Sequence, residues 1–524
     1  MKPPHRVPAA GSRTRLLLAT VSLGLVAWPF MVVTFPPLAD LPQHAAQVRL
    51  LGEALAGDGA YAVQWGTPYS LAYLPLAAAT ALAGPLAGAR LGAMLIALAW
   101  VGAVHLLAWR LGRSAAAATA ASVLVFHHAL YWGFLPFLVG FPVFAAWLLL
   151  VRQEPRPRVT RAALFTGGAL LLYTAHALWF AAGLGWLALD VATRHHRGTP
   201  WRHLVARLAG PAAVAAAAVA WFRALSSSSF ATPPLWVPQP WRRLLPGSWV
   251  EAAFGGLAGL LEPLTFAALA AWLVAALVVH LVRSTDREKG AGDRAPEGEA
   301  TGWDYRLLSL GLLLLAGALL LPDKYTNTIE FNDRWFPPAL ALLLLAAPRL
   351  PLRPTLTRAA AVTLLGAFVM TTAVTWQRAE AEELAGLAPA LASLPDEPRL
   401  LGLEFPRRSR YLDRQPYLQI FAWGQVLRGG ELNFSFADFP PSPVVYRPPR
   451  RPPWTPGLEW FPQRVRPGDF GWFTHVLVRA PPAIHSRFEA AAYLVPVNPP
   501  APWRLYRVGD GAPRENRRVA PQPP

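Results

Sequence analysis

The chain of 524 residues contains no cysteine, and only 15% of its residues are charged. The absence of cysteine excludes disulfides, thiolate metal sites and cysteine nucleophiles. The low charge, together with 54% hydrophobic residues and a mean hydropathy of +0.31, makes the chain too apolar for an ordinary soluble enzyme. The composition therefore indicates a membrane protein.

Acidic residues are also scarce, since 30 Asp and Glu stand against 48 Lys and Arg, which gives a net charge of +18. Nucleic-acid-binding proteins gather such an excess on one solvated face. Here the basic residues lie in short loops between apolar runs, which fits contact with lipid headgroups and a fixed membrane orientation. We therefore expect membrane lipid as a partner and no nucleic acid.

Apolar segments of about 20 residues, the length that spans a bilayer, recur along the first three quarters of the chain, and we count about eleven. The clearest are 16–35, 91–109, 162–189, 208–225, 264–282, 307–321 and 359–376, and the less certain ones are 70–83, the hairpin of 114–131 with 132–151, and 335–347. The sequence thus predicts an all-α polytopic membrane domain, followed by a small α/β domain with strands at 399–405, 475–481 and 503–508.

The positive-inside bias predicts the orientation of these parts. The predicted parts are a cytoplasmic basic N-terminus (1–15), a transmembrane domain (16–378) with outer loops 36–69, 226–262 and 322–334, an extracytoplasmic domain (379–510) and a disordered tail (511–524). Residues 283–300 and 348–358 are predicted to be cytoplasmic loops, the first of them disordered. One conflict with the positive-inside bias remains. The bias places the basic segments 151–161 and 194–207 on the same side of the membrane, but the single predicted helix between them would place them on opposite sides.

The outer segment FPPLADLPQHAAQVRLL, residues 35–51, places Asp40 and His44 four residues apart. In a structural interpretation Asp40 caps an amphipathic helix on the membrane surface, with Gln43 at the capping-box position. In a functional interpretation the carboxylate accepts a proton from a hydroxyl, or holds a cation. Two residues are too few to define a metal site, so a divalent cation stays open. Both interpretations of Asp40 stand at this point.

Several stretches resemble the GT-C class of integral-membrane glycosyltransferases, in particular bacterial GT-C-like membrane proteins. They are PPLADLPQHAAQVRLL, LYWGFLPFLVGFPV, LLYTAHALWF, NDRWFPPALALLLL, YLQIFAWGQVLRGG and HVLVRAP. The resemblance implies a bacterial inner-membrane enzyme that moves a sugar from a polyprenyl-phosphate donor to an extracytoplasmic acceptor. It also implies that Asp40 is the base that deprotonates the acceptor hydroxyl. The chain departs from the class in lacking an adjacent acidic pair, since Ala39 and Leu41 flank Asp40.

A polyprenyl-phosphate donor needs cations near the membrane surface, because a departing phosphate carries charge that a low-dielectric site cannot solvate. The outer loop PDKYTNTIEFNDRWF supplies Lys324, Tyr325 and Arg334 as candidate substrate-binding residues. The alternative for Arg334 is that it extends to the interface and pairs, like Lys324, with the neighbouring Glu330 and Asp333.

Two histidines complete the candidate substrate-binding residues. We assign His44 a positioning or acceptor-binding role one turn after Asp40. His176 lies inside an apolar run, where an ionisable residue is a candidate site residue. Alternatively, a single hydrogen bond to Tyr173, to Thr174 or to a group on a neighbouring helix satisfies it as a buried neutral side chain.

Two other functions are compatible with the composition. A transporter or flippase of a lipid-linked or polar substrate requires polar groups at mid-membrane depth, commonly paired across an internal repeat, and no repeat of fixed period is evident. A non-catalytic assembly protein would tolerate replacement of its outer-loop carboxylates. The oligomeric state stays open.

Overall fold

The computed structural model describes residues 9–152, 157–226, 233–236, 240–288, 302–325, 328–350 and 352–514. Residues 1–8 of the predicted cytoplasmic N-terminus, 289–300 of the predicted loop 283–300 and 515–524 of the predicted disordered tail lie outside the described residues. The first part of that loop, up to Glu288, continues a helix.

Helices make up most of the chain up to residue 392, because its apolar segments satisfy their backbone groups internally, as a membrane requires. They are α1 (Ala9–Met31), α2 (Leu41–Leu55), α3 (Tyr73–Ala83), α4 (Pro85–Arg110), α5 (Ala115–Ala121), α6 (His128–Tyr131), α7 (Leu135–Arg152), α8 (Arg158–Ala175), α9 (Ala177–His196), α10 (Trp201–Ser226), α11 (Pro246–Ala253), α12 (Leu261–Glu288), α13 (Tyr305–Leu320), α14 (Phe336–Ala346), α15 (Pro354–Glu383) and α16 (Leu387–Ala392).

Six helices in the described part of the chain are long and apolar enough to cross a membrane. Their apolar parts are Ser12–Met31, Pro85–Arg110, Leu135–Arg152, Trp201–Leu225, Leu261–Val282 and Pro354–Glu383. Four shorter apolar stretches accompany them: Ser70–Ala83, Ala115–Tyr131, Val159–Ala175 and Tyr305–Leu320. The polytopic helical class is confirmed, whereas the number of about eleven spans stays a prediction.

The predicted single span at 162–189 is wrong. The helical run breaks at His176, whose backbone is extended with φ −170° and ψ 133°, so α8 and α9 form a hairpin. The far ends of both helices lie against α10, because Arg161 of α8 donates to the carbonyl of His203 at 3.1 Å and Arg207 pairs with Asp190 of α9. Two helices therefore separate the basic segments 151–161 and 194–207. Both segments then lie on one side, and the conflict in the positive-inside pattern disappears.

The prediction that α2 lies on the membrane surface stays a prediction, but the polar residues in its first half are not exposed to water. The helix is buried from Leu41 to Val48, including its polar residues Gln43 and Gln47. Gln47 exchanges two hydrogen bonds of 3.0 Å with the backbone of Val444, far along the chain. The polar face of the helix is therefore covered by the C-terminal domain, whose backbone groups satisfy its amides.

The remaining α-helices and strands lie in the C-terminal domain, except for the one strand of the first outer loop, and all three predicted strands are present. The elements are strands β1 (Tyr61–Val63), β2 (Arg399–Glu404), β3 (Glu431–Leu432), β4 (Val444–Tyr446), β5 (His475–Arg479), β6 (Leu494–Pro496) and β7 (Trp503–Val508), of which β1 belongs to the first outer loop, with helices α17 (Trp423–Arg428), α18 (Pro467–Phe470) and α19 (Pro482–Glu489).

Five of these strands form one sheet in the order β3-β2-β5-β7-β6, in which β2 is parallel to β3 and β5 and the other pairs are antiparallel. Side chains alternate between its faces, so Leu400 packs into the core of the helical domain while Leu401 and Leu403 pack into a second core. Strand β1 pairs with β4 in a separate two-stranded sheet. The first outer loop and the C-terminal domain are thus joined through backbone hydrogen bonds.

The orientation in the membrane is testable because the chain has no cysteine of its own. Asp58 and Arg197 are both exposed, Asp58 in the first outer loop and Arg197 just after the far end of α9, which is 20 residues long. We expect an impermeant maleimide to label Asp58→Cys in intact spheroplasts and Arg197→Cys only after the cytoplasm is opened. The unmodified chain is the blank, and the reverse pattern would invert the predicted topology.

Candidate functional site

A cavity of about 390 Å³ lies between the outer-loop ends of the helices and the C-terminal domain. Its wall includes charged and histidine side chains from distant parts of the sequence: Asp40, His44, His176, Lys324, Arg334 and Glu459. Aromatic side chains form much of the remaining wall: Tyr69, Tyr73, Trp132, Phe134, Phe137, Phe434, Phe436, Phe439 and Trp460. Five of the six sequence-predicted site residues therefore line one cavity.

Asp40 stands at the start of α2, as the sequence predicts, but it does not cap the helix through its side chain. Among the described residues its carboxylate accepts no capping hydrogen bond. The predicted capping box is absent as well, because the Gln43 amide oxygen accepts from the backbone N–H of Phe436 at 3.0 Å. The Asp40 carboxylate is left facing the cavity, where burial raises its pKa to about 7 against the lowering effect of Arg334.

The backbone around Asp40 is fixed by the turn that precedes α7. Ala39 donates to the carbonyl of Tyr131 at 2.8 Å, and Asp40 donates to that of Trp132 at 2.9 Å. This close approach requires glycine at position 133, whose φ is +76° and where a Cβ would lie 2.8 Å from the Asp40 nitrogen. The turn therefore sets the position of the carboxylate.

His44 holds this arrangement together. Its ring nitrogens lie 2.8 Å from the Tyr73 hydroxyl and 3.1 Å from the carbonyl of Gly133. Burial lowers the pKa of His44 to about 4, so the ring is neutral near pH 7. These contacts, and the neutral ring, favour a role in which His44 positions the Asp40 turn over one in which it binds an anion.

The two cations that line the cavity form no ion pair with a carboxylate of the described residues. Arg334 donates to the carbonyl of Ile329 at 2.9 Å and lies 3.8 Å above the Phe134 ring, and it forms no ion pair with any residue the structure describes. Burial lowers its pKa to about 10, which leaves it protonated at neutral pH. The Lys324 ammonium has no hydrogen-bond or ion-pair partner within the described ranges either, and it also lines the cavity.

The expected pairing of these cations with the neighbouring acids is wrong. Glu330 forms its ion pair with Arg414 of the C-terminal domain. Asp333 accepts a hydrogen bond of 2.7 Å from the Asn332 side chain. The C-terminal domain thus removes a carboxylate that would otherwise neutralise Arg334.

Of the two remaining candidate residues, His176 lines the cavity and Tyr325 does not. Tyr325 lies outside the cavity wall, with 44% of its surface exposed and its ring against Phe331. His176 lies at the break between α8 and α9 and accepts a hydrogen bond of 3.1 Å from the Leu178 backbone N–H. Its ring contacts Tyr69 at 5.0 Å, so the break brings it to the cavity wall.

Sequence reasoning missed the aromatic wall and Glu459. Trp132 lies in a stretch quoted for the GT-C resemblance, but its place beside Asp40 depends on the turn at Gly133. Glu459 and Trp460 lie in a Pro-rich part of the C-terminal domain that contains no motif. Only the docking of this domain brings them to the cavity.

In the part of the chain that the structure describes, no group of three or more His, Asp or Glu side chains is placed to hold a metal ion. A divalent cation therefore stays an open prediction. The cavity instead combines two carboxyl groups whose pKa burial raises, Asp40 and Glu459, with an aromatic wall and two cations, Arg334 and Lys324, that form no ion pair with any described residue. This set fits a ligand with an anionic group beside a ring that bears hydroxyls.

No family model matches the sequence, and no curated protein matches it. Two solved structures are similar in fold. ArnT from Cupriavidus metallidurans in the apo state has a TM-score of 0.52 and 13% identity, over 95% of this chain and 98% of that chain. ArnT bound to undecaprenyl phosphate has a TM-score of 0.51 and 13% identity, over 97% and 100% of the two chains. ArnT is a GT-C glycosyltransferase, so the chain has a GT-C-like fold.

The Gly133 turn yields a test of how the site is held. We expect Gly133→Ala to lower the midpoint of thermal unfolding clearly more than Gly112→Ala. Both glycines have positive φ, but Gly112 has no atom within 4 Å of an added Cβ. The difference reflects the clash with the Asp40 backbone, of the order of 1–3 kcal/mol. Equal midpoints in purified protein would show that the turn adapts without cost.

Proposed function

We propose that the chain is a membrane glycosyltransferase that moves a sugar from a polyprenyl-phosphate donor to a hydroxyl of an extracytoplasmic acceptor, with Asp40 as the general base. The observation that supports it most is the placement of Asp40 with Arg334 and Lys324 on one cavity at the outer-loop ends of the helices. The GT-C-like fold supports the same reaction class.

Arg334 and Lys324 bind the donor phosphate in this proposal. Neither is neutralised by a described carboxylate, and the Arg334 guanidinium is held in place by Ile329 and Phe134. An oriented cation in a water-poor cavity stabilises the charge that develops on a leaving phosphate. The similar ArnT structure contains undecaprenyl phosphate, which supports a lipid of this class as the carrier here.

The transfer step follows from these positions. The acceptor oxygen forms a bond to the anomeric carbon while the bond from that carbon to the phosphate oxygen breaks. The electron pair of the broken bond stays on the polyprenyl phosphate beside Arg334 and Lys324. The Asp40 carboxylate takes the proton of the acceptor hydroxyl, and its pKa of about 7 suits a base that works near neutral pH.

The remaining candidate residues have supporting roles. His44 positions the Asp40 turn through Gly133, and His176 closes the wall beside Tyr69. Tyr325 stays a proposed contact of the lipid phosphate outside the cavity, in the same loop as Lys324. We place the cavity and the C-terminal domain on the extracytoplasmic face of the bacterial inner membrane. The acceptor is a lipid, a glycan or a protein that reaches this face.

The transporter alternative requires polar groups along a path through the membrane. In the part of the chain that is described, the polar side chains of the cavity come from outer loops, helix ends and the C-terminal domain. This distribution favours chemistry at one face over transport.

Asp40→Asn tests the base. Asparagine cannot accept the proton, so we expect transfer to fall by about two orders of magnitude or more. Binding of undecaprenyl phosphate should persist, because Arg334 and Lys324 remain. In the unmodified protein kcat/KM should fall as the pH drops below about 7, where the carboxyl group becomes protonated.

Asp58→Asn is the matched control for this experiment, since Asp58 is an exposed aspartate of the same outer loop. It should leave both transfer and lipid binding unchanged. Transfer by Asp40→Asn at the unmodified rate would remove the catalytic assignment.

Arg334→Ala tests the phosphate site. Loss of one charge-assisted hydrogen-bond donor should weaken undecaprenyl phosphate binding by about tenfold to a hundredfold, with Arg334→Lys in between. Arg242→Ala is the control, because Arg242 is an exposed outer-loop arginine that lies against Trp241 and outside the cavity wall. Equal binding by Arg334→Ala and Arg242→Ala, measured on purified protein, would exclude Arg334 from the site.

A further inference from the structure

A second carboxylate enters the cavity from the C-terminal domain. Glu459 is 8% exposed and lines the wall next to Trp460. Within the described part of the chain its carboxylate accepts a hydrogen bond from its own backbone N–H, feels the like charge of Asp438 and forms no ion pair. Burying an acidic group without a partner is costly. We therefore expect the hydrogen-bond donors for this carboxylate to come from a ligand in the cavity and not from the protein's own side chains.

The Glu459 side of the cavity is linked to the cationic side by a row of aromatic rings. Trp460 lies 6.3 Å from Trp132, and Trp132 stacks on Phe134 at 5.9 Å with an interplanar angle of 3°. The guanidinium of Arg334 covers Phe134 at 3.8 Å. A ligand that places its phosphate at Arg334 thus has an apolar surface beside it that leads toward Glu459.

A sugar ring has the shape and polarity that this surface requires. Its C–H faces are apolar and its rim carries hydroxyls, so one face packs on an indole while the hydroxyls donate to a carboxylate. Glu459 accepts such bonds without losing any partner in the protein. Trp132 also borders Asp40, because the Asp40 backbone donates to the carbonyl of Trp132.

We propose that Glu459, Trp460 and Trp132 form the subsite for the sugar of the donor, in which Glu459 accepts hydrogen bonds from the ring hydroxyls and disfavours sugars that carry a carboxylate. This inference rests on the proposed function and adds its substrate class, a neutral sugar rather than a uronic acid. A uronic acid would bring a second negative charge beside Glu459 in a water-poor site, where like charges repel strongly.

The test compares the binding of three ligands to purified protein at about pH 8. Burial raises the pKa of Glu459 to about 7, so the carboxyl group is ionised at this pH. The ligands are undecaprenyl phosphate, the same lipid linked to a neutral hexose, and the same lipid linked to the corresponding uronic acid. We expect the unmodified protein to bind the hexose donor about tenfold or more tightly than the uronic acid donor. In Glu459→Gln this ratio should fall severalfold, because only the charge of Asp40 then remains to repel the uronic acid, while binding of undecaprenyl phosphate alone stays unchanged.

The control is Glu489→Gln, since Glu489 is a half-exposed glutamate of the same domain that pairs with Arg504 and lies outside the cavity. It should keep the unmodified ratio. If Glu459→Gln also keeps the ratio, the sugar subsite is wrong while the glycosyltransferase proposal stands. If the unmodified protein binds none of the three lipids, the proposed function fails and this inference fails with it.

Discussion

The site depends on one contact, the pair of backbone hydrogen bonds by which Ala39 and Asp40 dock on the turn before α7. The contact is possible only because Gly133 has no side chain and adopts a positive φ. It fixes Asp40 relative to Trp132 and to the start of α7 at the same time. His44 reinforces it from the next turn of α2. The general base that we propose at Asp40 must be held within a narrow range of geometry, and these backbone groups would provide that rigidity.

The net charge of the cavity wall depends on which nearby carboxylates form ion pairs with residues outside the cavity. Glu330 is adjacent in the loop to the cations, but Arg414 of the C-terminal domain pairs with it. Arg334 is therefore left to act on whatever enters the cavity, and its field opposes the burial that raises the pKa of Asp40. In a low-dielectric environment an unpaired cation destabilises the folded protein, because it has lost its water. The same cation attracts an anionic ligand strongly, because little water screens its charge. This balance is typical of functional sites.

The C-terminal domain is a structural part of the site and not an appendage. It covers the polar face of α2 through Gln43 and Gln47, and it extends the first outer loop with the β1–β4 pair. The same docking carries Glu459 into the cavity. Because these contacts are satisfied hydrogen bonds between distant segments, the domain is fixed against the helices. Its surface can therefore contribute to selectivity as well as to stability.

The sequence by itself determined the membrane class, the three central strands and the loops that hold Asp40, Lys324 and Arg334, because hydropathy, alternation and loop charge are local properties. The tertiary structure decided the break at His176, the burial of the polar face of α2 and the entry of Glu459. A hydropathy window averages over a break in the helix, and a polar helix face looks the same whether water or another domain covers it. The burial of α2 and the entry of Glu459 also depend on partners hundreds of residues away, which no local pattern encodes.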